Sequence, residues 1–456
     1  MIFASLLIAA ATVALIGTTC ALDSSHDAFH PLVFIGPMMA FLYGWMPWNL
    51  LSQDGLSRYF DTDQMTFVAT LNLLGVLAFV VCCLGAGLRI KKKKAQSPTQ
   101  LSRRTLSRLL TGGMIAGTIG LLCWLIAIVN VGGFVNAFST SYSGGWDTSG
   151  YIRDGSTLLL IGIMMAVMVR SSGGPRWPAY AMIVVFGLPW LSSALLMARR
   201  GPTFELTIVL LMSWYMNRKK RPPLIAVTLS GVALGWLVLF LVTNRQSIYL
   251  GSNFDLKTDV SDIVKDPGTG NEWIYGAGTV LSARRADHYY WMRRYLAQVA
   301  VRPIPSSVWP TKYEDFGVPE LLHNAGTGEG FGDALGWKGA DGSAPGIVAD
   351  LWVEAWWFAI ACMGLLGWGY GTVWKKAVIE GGPWASQFVI ISAVSIYMVM
   401  QTMEAVIFRT LLLSIPSWLI WRYALSSRSR KRRTVRRSAH RVLIVPSLAQ
   451  RITSHV

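Results

Sequence analysis

The chain has 456 residues, of which 53% are hydrophobic and only 14% charged, and its mean hydropathy is +0.43. That balance excludes an ordinary soluble globular protein and points to lipid as the solvent. The formal charge of +17 is set by where Lys and Arg fall along the chain and calls for no nucleic-acid partner.

Apolar stretches of the length a helix needs to cross a bilayer core recur from end to end. No water in that core satisfies a free amide, so the stretches must be helices. In chain order they fall near residues 2–22, 31–48, 66–89, 109–132, 154–169, 178–197, 203–217, 224–243, 347–373, 384–400 and 409–425. The expectation is therefore an all-α polytopic integral membrane protein of about eleven transmembrane helices with one large extracytoplasmic loop. Residues 1–243 carry the first eight spans, 244–346 the loop, 347–425 the last three spans, and 426–456 a basic tail.

Basic runs follow every second span: Lys91 to Lys94 with Arg103, Arg104 and Arg108; Arg170 and Arg176; Arg218 to Arg221; Lys375 and Lys376; and the tail. Retention of Lys and Arg on the cytoplasmic side then puts the N-terminus outside and the C-terminus in the cytoplasm. It leaves about +23 inside and about −6 outside. Residues 1–22 resemble a signal peptide, but they lack a basic start, and Asp23 must share a side with the Lys91 run; a retained span is expected. The tail "SRSRKRRTVRRSAHR" is expected as a disordered segment lying on anionic lipid. Cys20, Cys82, Cys83, Cys123 and Cys362 all lie within expected spans, so neither disulfides nor a thiolate metal site is expected. No nucleotide or zinc pattern occurs, and the chain is read as having no cofactor and no metal.

The outer segments carry arginines that the positive-inside rule disfavours, and their presence asks for a reason. Arg199 and Arg200 sit in the short outer turn "ARRGP", at the depth of a lipid phosphate. A guanidinium fork matches phosphate oxygens, so the pair suits a diphosphate; snorkelling to ordinary phospholipid is the alternative. In the loop, residues 283–300 read as an amphipathic helix, with Tyr290, Trp291, Tyr295, Leu296 and Val299 apolar and Arg284, Arg285, His288 and Arg293 beside them. The titratable groups Asp287, His288, Glu314, Asp315, Glu320, His323, Glu329, Asp333 and Asp341 follow, and any His or carboxylate among them is a candidate general base for an attacking hydroxyl. Asp350 and Glu354 are four residues apart on one helical face, where acids face a bundle interior or a wet cavity. Glu404 and Arg409 read as a loose ion pair at the outer interface. The Gly-rich passage from His323 to Gly346 reads first as turns. Trp309, Tyr313, Phe316, Phe331 and Trp337 suit either sugar stacking or packing of the loop on itself.

In layout and in short patterns the chain resembles the O-antigen or oligosaccharide repeat-unit polymerases (Wzy class). The resemblance rests on "DAFHPLVFIGPMMAFLYGW", "ARRGPTFELTIVLLMSW", "VRPIPSSVWPTKYEDFG" and "APGIVADLWVEAWWFAIACMGLLGWGYG", and runs over about residues 20–425. It implies a metal-independent, GT-C-like membrane glycosyltransferase that joins undecaprenyl-diphosphate-linked oligosaccharides on the outer leaflet. A chain-length regulator and a flippase are the partners implied beside membrane lipid. Under it, Arg199, Arg200, Arg284, Arg285, Arg293, Arg294, Arg302 and Lys312 are the diphosphate-binding set. His323, His288, Glu314, Asp341 and Glu354 are the catalytic candidates. The insertion "FDLKTDVSDIVKDPGTGNEW" has no role in that pattern. An O-antigen ligase, a lipid-linked oligosaccharide transporter and a non-enzymatic scaffold are the rival readings.

Overall fold

The structure is a computed structural model that describes residues 1–52, 55–87, 101–139, 150–196, 200–216, 218, 222–244, 247–253, 255–256, 272–317, 345–400 and 402–442. Among the described residues there are helices and turns and no strand. The first half comprises α1 (Ile2–Ser25), α2 (Pro31–Ala40), α3 (Met46–Leu51), α4 (Thr62–Gly87), α5 (Arg103–Asn130), α6 (Phe134–Phe138), α7 (Gly150–Gly155), α8 (Leu158–Ser171), α9 (Arg176–Leu196), α10 (Arg200–Met216) and α11 (Leu224–Thr243). Then come α12 (Glu272–Ala286), α13 (Arg293–Leu296), α14 (Lys312–Asp315), α15 (Gly346–Ala355), α16 (Phe358–Glu380), α17 (Pro383–Ala393), α18 (Ser395–Met400) and α19 (Met403–Val442).

Among the described residues, six stretches are long and apolar enough to cross a membrane: Ile2–Ser25, Thr62–Gly87, Arg103–Asn130, Ile152–Ser171, Arg176–Leu196 and Leu224–Leu241. The protein is therefore an all-α, membrane-embedded helix bundle. The other expected spans fall on helices that are shorter, interrupted or more charged. Residues 31–51 are helical throughout but widen into a π-turn at Phe41–Trp45 that joins α2 to α3.

At the centre lies α8, buried from Leu159 to Val169, with α5, α9 and α10 packed around it. A second layer is built on α4, flanked by α1 and α16. Small residues let α4 and α16 approach. A Cβ at Gly367 would lie 2.2 Å from the Phe79 carbonyl oxygen and one at Gly371 2.5 Å from that of Cys83, so only glycine permits this seam. By contrast α11 barely touches the bundle: 6% of its apolar window is buried, and Gly231 and Gly235 face open space.

Three sequence expectations are corrected. Residues 283–300 do not form one amphipathic helix: α12 ends at Ala286, and Asp287, Trp291 and Met292 take left-handed backbone angles before α13 begins. Tertiary bonding wins over the helical pattern there, because the Tyr290 N–H donates to the Val353 carbonyl (2.9 Å) and the Met292 N–H to that of Glu354 (3.3 Å). Nor is the ninth expected span continuous. It breaks after α15 at Trp356 (φ 51°, ψ −138°), and α16 starts two residues later. The basic tail is helical as far as Val442 as the end of α19, in a stretch with no Gly or Pro to stop it. In addition α12, counted in the loop from sequence, is buried from Glu272 to Val280 against α15.

Candidate functional site

Polar chemistry collects at one end of the bundle, around the start of α15. One turn separates Asp350 from Glu354, and both are wholly buried, as the sequence spacing requires of acids on an inward face. Arg294, 6% exposed, lies between them. Its Nη2 donates to Asp350 Oδ1 (2.7 Å) and its Nε to Glu354 Oε1. Asp350 Oδ2 accepts from the Tyr295 hydroxyl and from the Met403 backbone N–H (2.8 Å), the first residue of α19. One carboxylate thus joins α13, α15 and α19. Burial pushes the Tyr295 phenol well above its usual range, and the neighbouring Asp350 charge adds to the shift. Burial pulls Arg294 down, but Asp350 and Glu354 hold it above its ordinary value, so it stays charged. Tyr290, raised to about 12 by burial, offers its ring to the Arg294 guanidinium at 5.4 Å and to the edge of exposed His288 at 5.3 Å.

A second ion-pair group adjoins the first along α19. The Arg409 Nη1 donates to Glu205 Oε1 (2.8 Å) and to the Tyr397 hydroxyl (3.0 Å). Glu205 is buried, whereas Arg409 keeps 31% of its side chain exposed. The Arg302 Nη2 pairs with Asp154, Nη1 donates to Gln298 (2.8 Å), and the guanidinium lies 3.9 Å over the Phe408 ring. The Asp154 charge also acts on Arg409. The first turn of α10 closes on this group. A Cβ at Gly201 would fall 1.9 Å from the Tyr397 hydroxyl oxygen, so the helix N-terminus that begins at Arg200 is in contact with the phenol that holds Arg409.

The sequence-predicted residues divide as follows. Arg294, Arg302 and Glu354 enter these groups. Arg284 is exposed and stacks 3.9 Å over Phe67; Arg285, Arg293 and Glu314 are exposed at the same loop. The Lys312 ammonium is fully buried and donates to the carbonyls of Arg302 (3.3 Å), Val301 (3.4 Å) and Ile304, closing off the π-turn at Ala297–Val301. The Asp315 carboxylate, held below its usual range by hydrogen bonds from Trp309 and Thr311, fixes the turn after it. Arg199, His323 and Asp341 lie outside the described residues, and the Arg200 side chain does too. Arg409 pairs with Glu205, and the Glu404 side chain of the expected Glu404–Arg409 pair lies outside the described residues.

Glu205, Tyr397 and Asp154 were not singled out from sequence. Glu205 carried a usable signal, a single acid at the third residue of the apolar stretch 203–217. Among the described residues no group of three His, Cys, Asp or Glu is arranged to hold a metal ion. Compared with known proteins, the chain matches no protein-family model, no curated protein and no solved structure.

Proposed function

We propose that the protein is a bacterial inner-membrane glycosyltransferase that polymerises undecaprenyl-diphosphate-linked oligosaccharide repeat units on the outer leaflet. In this reading the chain crosses the membrane about eleven times, with its N-terminus outside and its basic tail in the cytoplasm.

The observation that carries the proposal is the meeting of the α10 N-terminus with Arg409 through Tyr397. The unpaired N–H groups of a helix start favour an anion. Arg199 and Arg200 flank that start in sequence, and partly exposed Arg409 and Arg302 stand beside it. Two guanidiniums beside a helix terminus, with two more arginines adjoining it in sequence, suit a diphosphate, which is the leaving group here. As the acceptor hydroxyl attacks the anomeric carbon, the bond to the diphosphate breaks and negative charge grows on its oxygen. Donors aimed at that oxygen are the usual largest source of rate enhancement. The hydroxyl proton goes to a base. Glu354 keeps one oxygen without a partner but lies wholly beneath protein, so the base is assigned to exposed His288 or to His323. Arg294, locked by two carboxylates, positions the loop segment that carries His288. The ring surfaces of Tyr289, Trp291 and Trp356 beside Trp352 offer sugars a stacking wall.

The test is ladder formation by purified protein from a lipid-diphosphate repeat unit, with chelator present. Wild type is set beside Arg199→Ala, Arg409→Lys, His288→Ala and His323→Ala. The expected result is a ladder from wild type, a fall of about 100-fold or more for Arg199→Ala and a comparable fall for one of the two histidine variants. A wild type that makes no ladder from the correct unit but transfers sugar to a lipid A-core acceptor overturns polymerisation in favour of ligation.

A further inference from the structure

Beside the glycine seam of α4 and α16, at the end of the bundle away from the arginine cluster, runs an open cleft of about 720 Å³. That is within the range of about 300–1,000 Å³ usual for small-molecule sites. Trp368, Thr372, Lys375 and Lys376 follow one another at helical spacing along one wall. Val81 and Gly85 of α4 form the facing wall. The two ends of the cleft differ in chemistry. Trp368 and Val81, each more than half exposed, make one end apolar and open to lipid. Lys375 and Lys376 make the other end cationic. Lys376 is held 4.1 Å over the Trp384 ring. Glu380, one turn further on, also lines the cleft, yet neither lysine forms an ion pair with it among the described residues. The facing wall is open at Gly85, where an added Cβ meets nothing within 4 Å.

We propose that this cleft seats one anionic phospholipid, its acyl chain along Trp368 and Val81 and its phosphate between Lys375 and Lys376. An apolar trough that ends in two ammonium groups with no carboxylate partner among the described residues matches that ligand in both parts. Zwitterionic lipid offers the same chain without the net charge. Free phosphate offers the charge without the chain. Ammonium groups at a lipid surface each strengthen binding of anionic lipid appreciably, so the two together give at least a tenfold preference.

The full-length protein in detergent is titrated separately with dioleoyl phosphatidylglycerol and dioleoyl phosphatidylcholine, inorganic phosphate is then added to the phosphatidylglycerol complex, and bound lipid is counted by native mass spectrometry. Wild type is compared with the Lys375→Gln/Lys376→Gln double variant and with Gly85→Leu, which projects a side chain into the cleft and keeps both lysines. The expected result is one phosphatidylglycerol held about tenfold more tightly than phosphatidylcholine, with that preference lost in the double variant and the bound lipid lost in Gly85→Leu. Gly85→Leu binding like wild type overturns the proposal, because the lysines would then attract lipid only at the surface. Displacement of the lipid by inorganic phosphate also overturns it, in favour of a simple anion site, as does equal binding of both lipids.

Discussion

The two ends of the bundle handle their cations in opposite ways. At the arginine-cluster end, Arg294, Arg302 and Arg409 each meet a carboxylate, and Asp350, Glu354 and Glu205 are wholly buried. At the basic end, Arg108 lies 5.1 Å over Tyr423, Arg218 3.9 Å over Trp214 and Arg170 within 6 Å of Tyr180 and Trp214. None of these has an acid partner among the described residues. A cation laid on an aromatic face at the surface costs little to hold and contributes little. A cation drawn under protein between two carboxylates has forfeited its hydration and holds the segments around it in fixed relation. The first arrangement suits charge that sets orientation in a membrane, and the second suits charge that fixes a site.

The sharpest way to break this contrast is to unpair the buried cluster. Asp350→Ala leaves Arg294 with half its partners and frees the Tyr295 hydroxyl and the Met403 amide together. The expected loss is about 3–5 kcal/mol of folding stability, read as a fall in the denaturation midpoint of the purified protein. An unchanged midpoint would mean the cluster holds nothing. Replacing the whole set at once, Arg294→Met with Asp350→Asn and Glu354→Gln, should recover most of that loss, since no uncompensated charge then remains.

A smaller effect tests a histidine buried at the basic end. His30 caps α2, accepting from the Leu32 N–H (3.3 Å), and packs edge-on against Trp374 at 4.4 Å, while Trp374 donates to Asp27 (3.3 Å). Burial lowers its pKa from 6.5 to about 4. The unfolded chain therefore takes up a proton that the folded protein refuses between those values. Stability is complete above pH 6.5 and declines as the pH falls toward about 4, by about 3 kcal/mol in all. His30→Asn should flatten the decline in a pH series of unfolding midpoints, and a decline of unchanged size would acquit the imidazole. The smallest effect belongs to Arg108→Gln. It removes a surface cation from a ring, and it should shift the midpoint by less than about 1 kcal/mol. A larger shift would place Arg108 with the site-forming arginines after all.

Helix length and spacing made much of this legible in advance. Asp350 and Glu354 sit four apart in an apolar stretch, and that alone turned them inward. Their partner was not legible as such. Arg294 lies 56 and 60 residues away in sequence, and its pattern position on a supposed amphipathic helix made it look no different from Arg293. The break at residues 287–292 was hidden for a related reason. The apolar rhythm runs straight through it, and only the carbonyls of Val353 and Glu354, supplied by another helix, decide the backbone there. The Glu205 partner of Arg409 was hidden in the same way, since the fold brings it from α10 across 204 residues. Sequence pattern resolves which residues leave the lipid, and long-range closure resolves whom they meet.

The isolation of α11 has a practical side. Its helical form is secured by lipid and by its own backbone, with almost nothing contributed by neighbours. Its sequence is therefore under compositional rather than positional constraint, and most apolar replacements along Leu224–Leu241 should pass unnoticed. That makes Ile225, Leu229 and Val232, all well exposed, suitable anchoring points for a spectroscopic label that reports on the surrounding bilayer while leaving the rest of the molecule undisturbed.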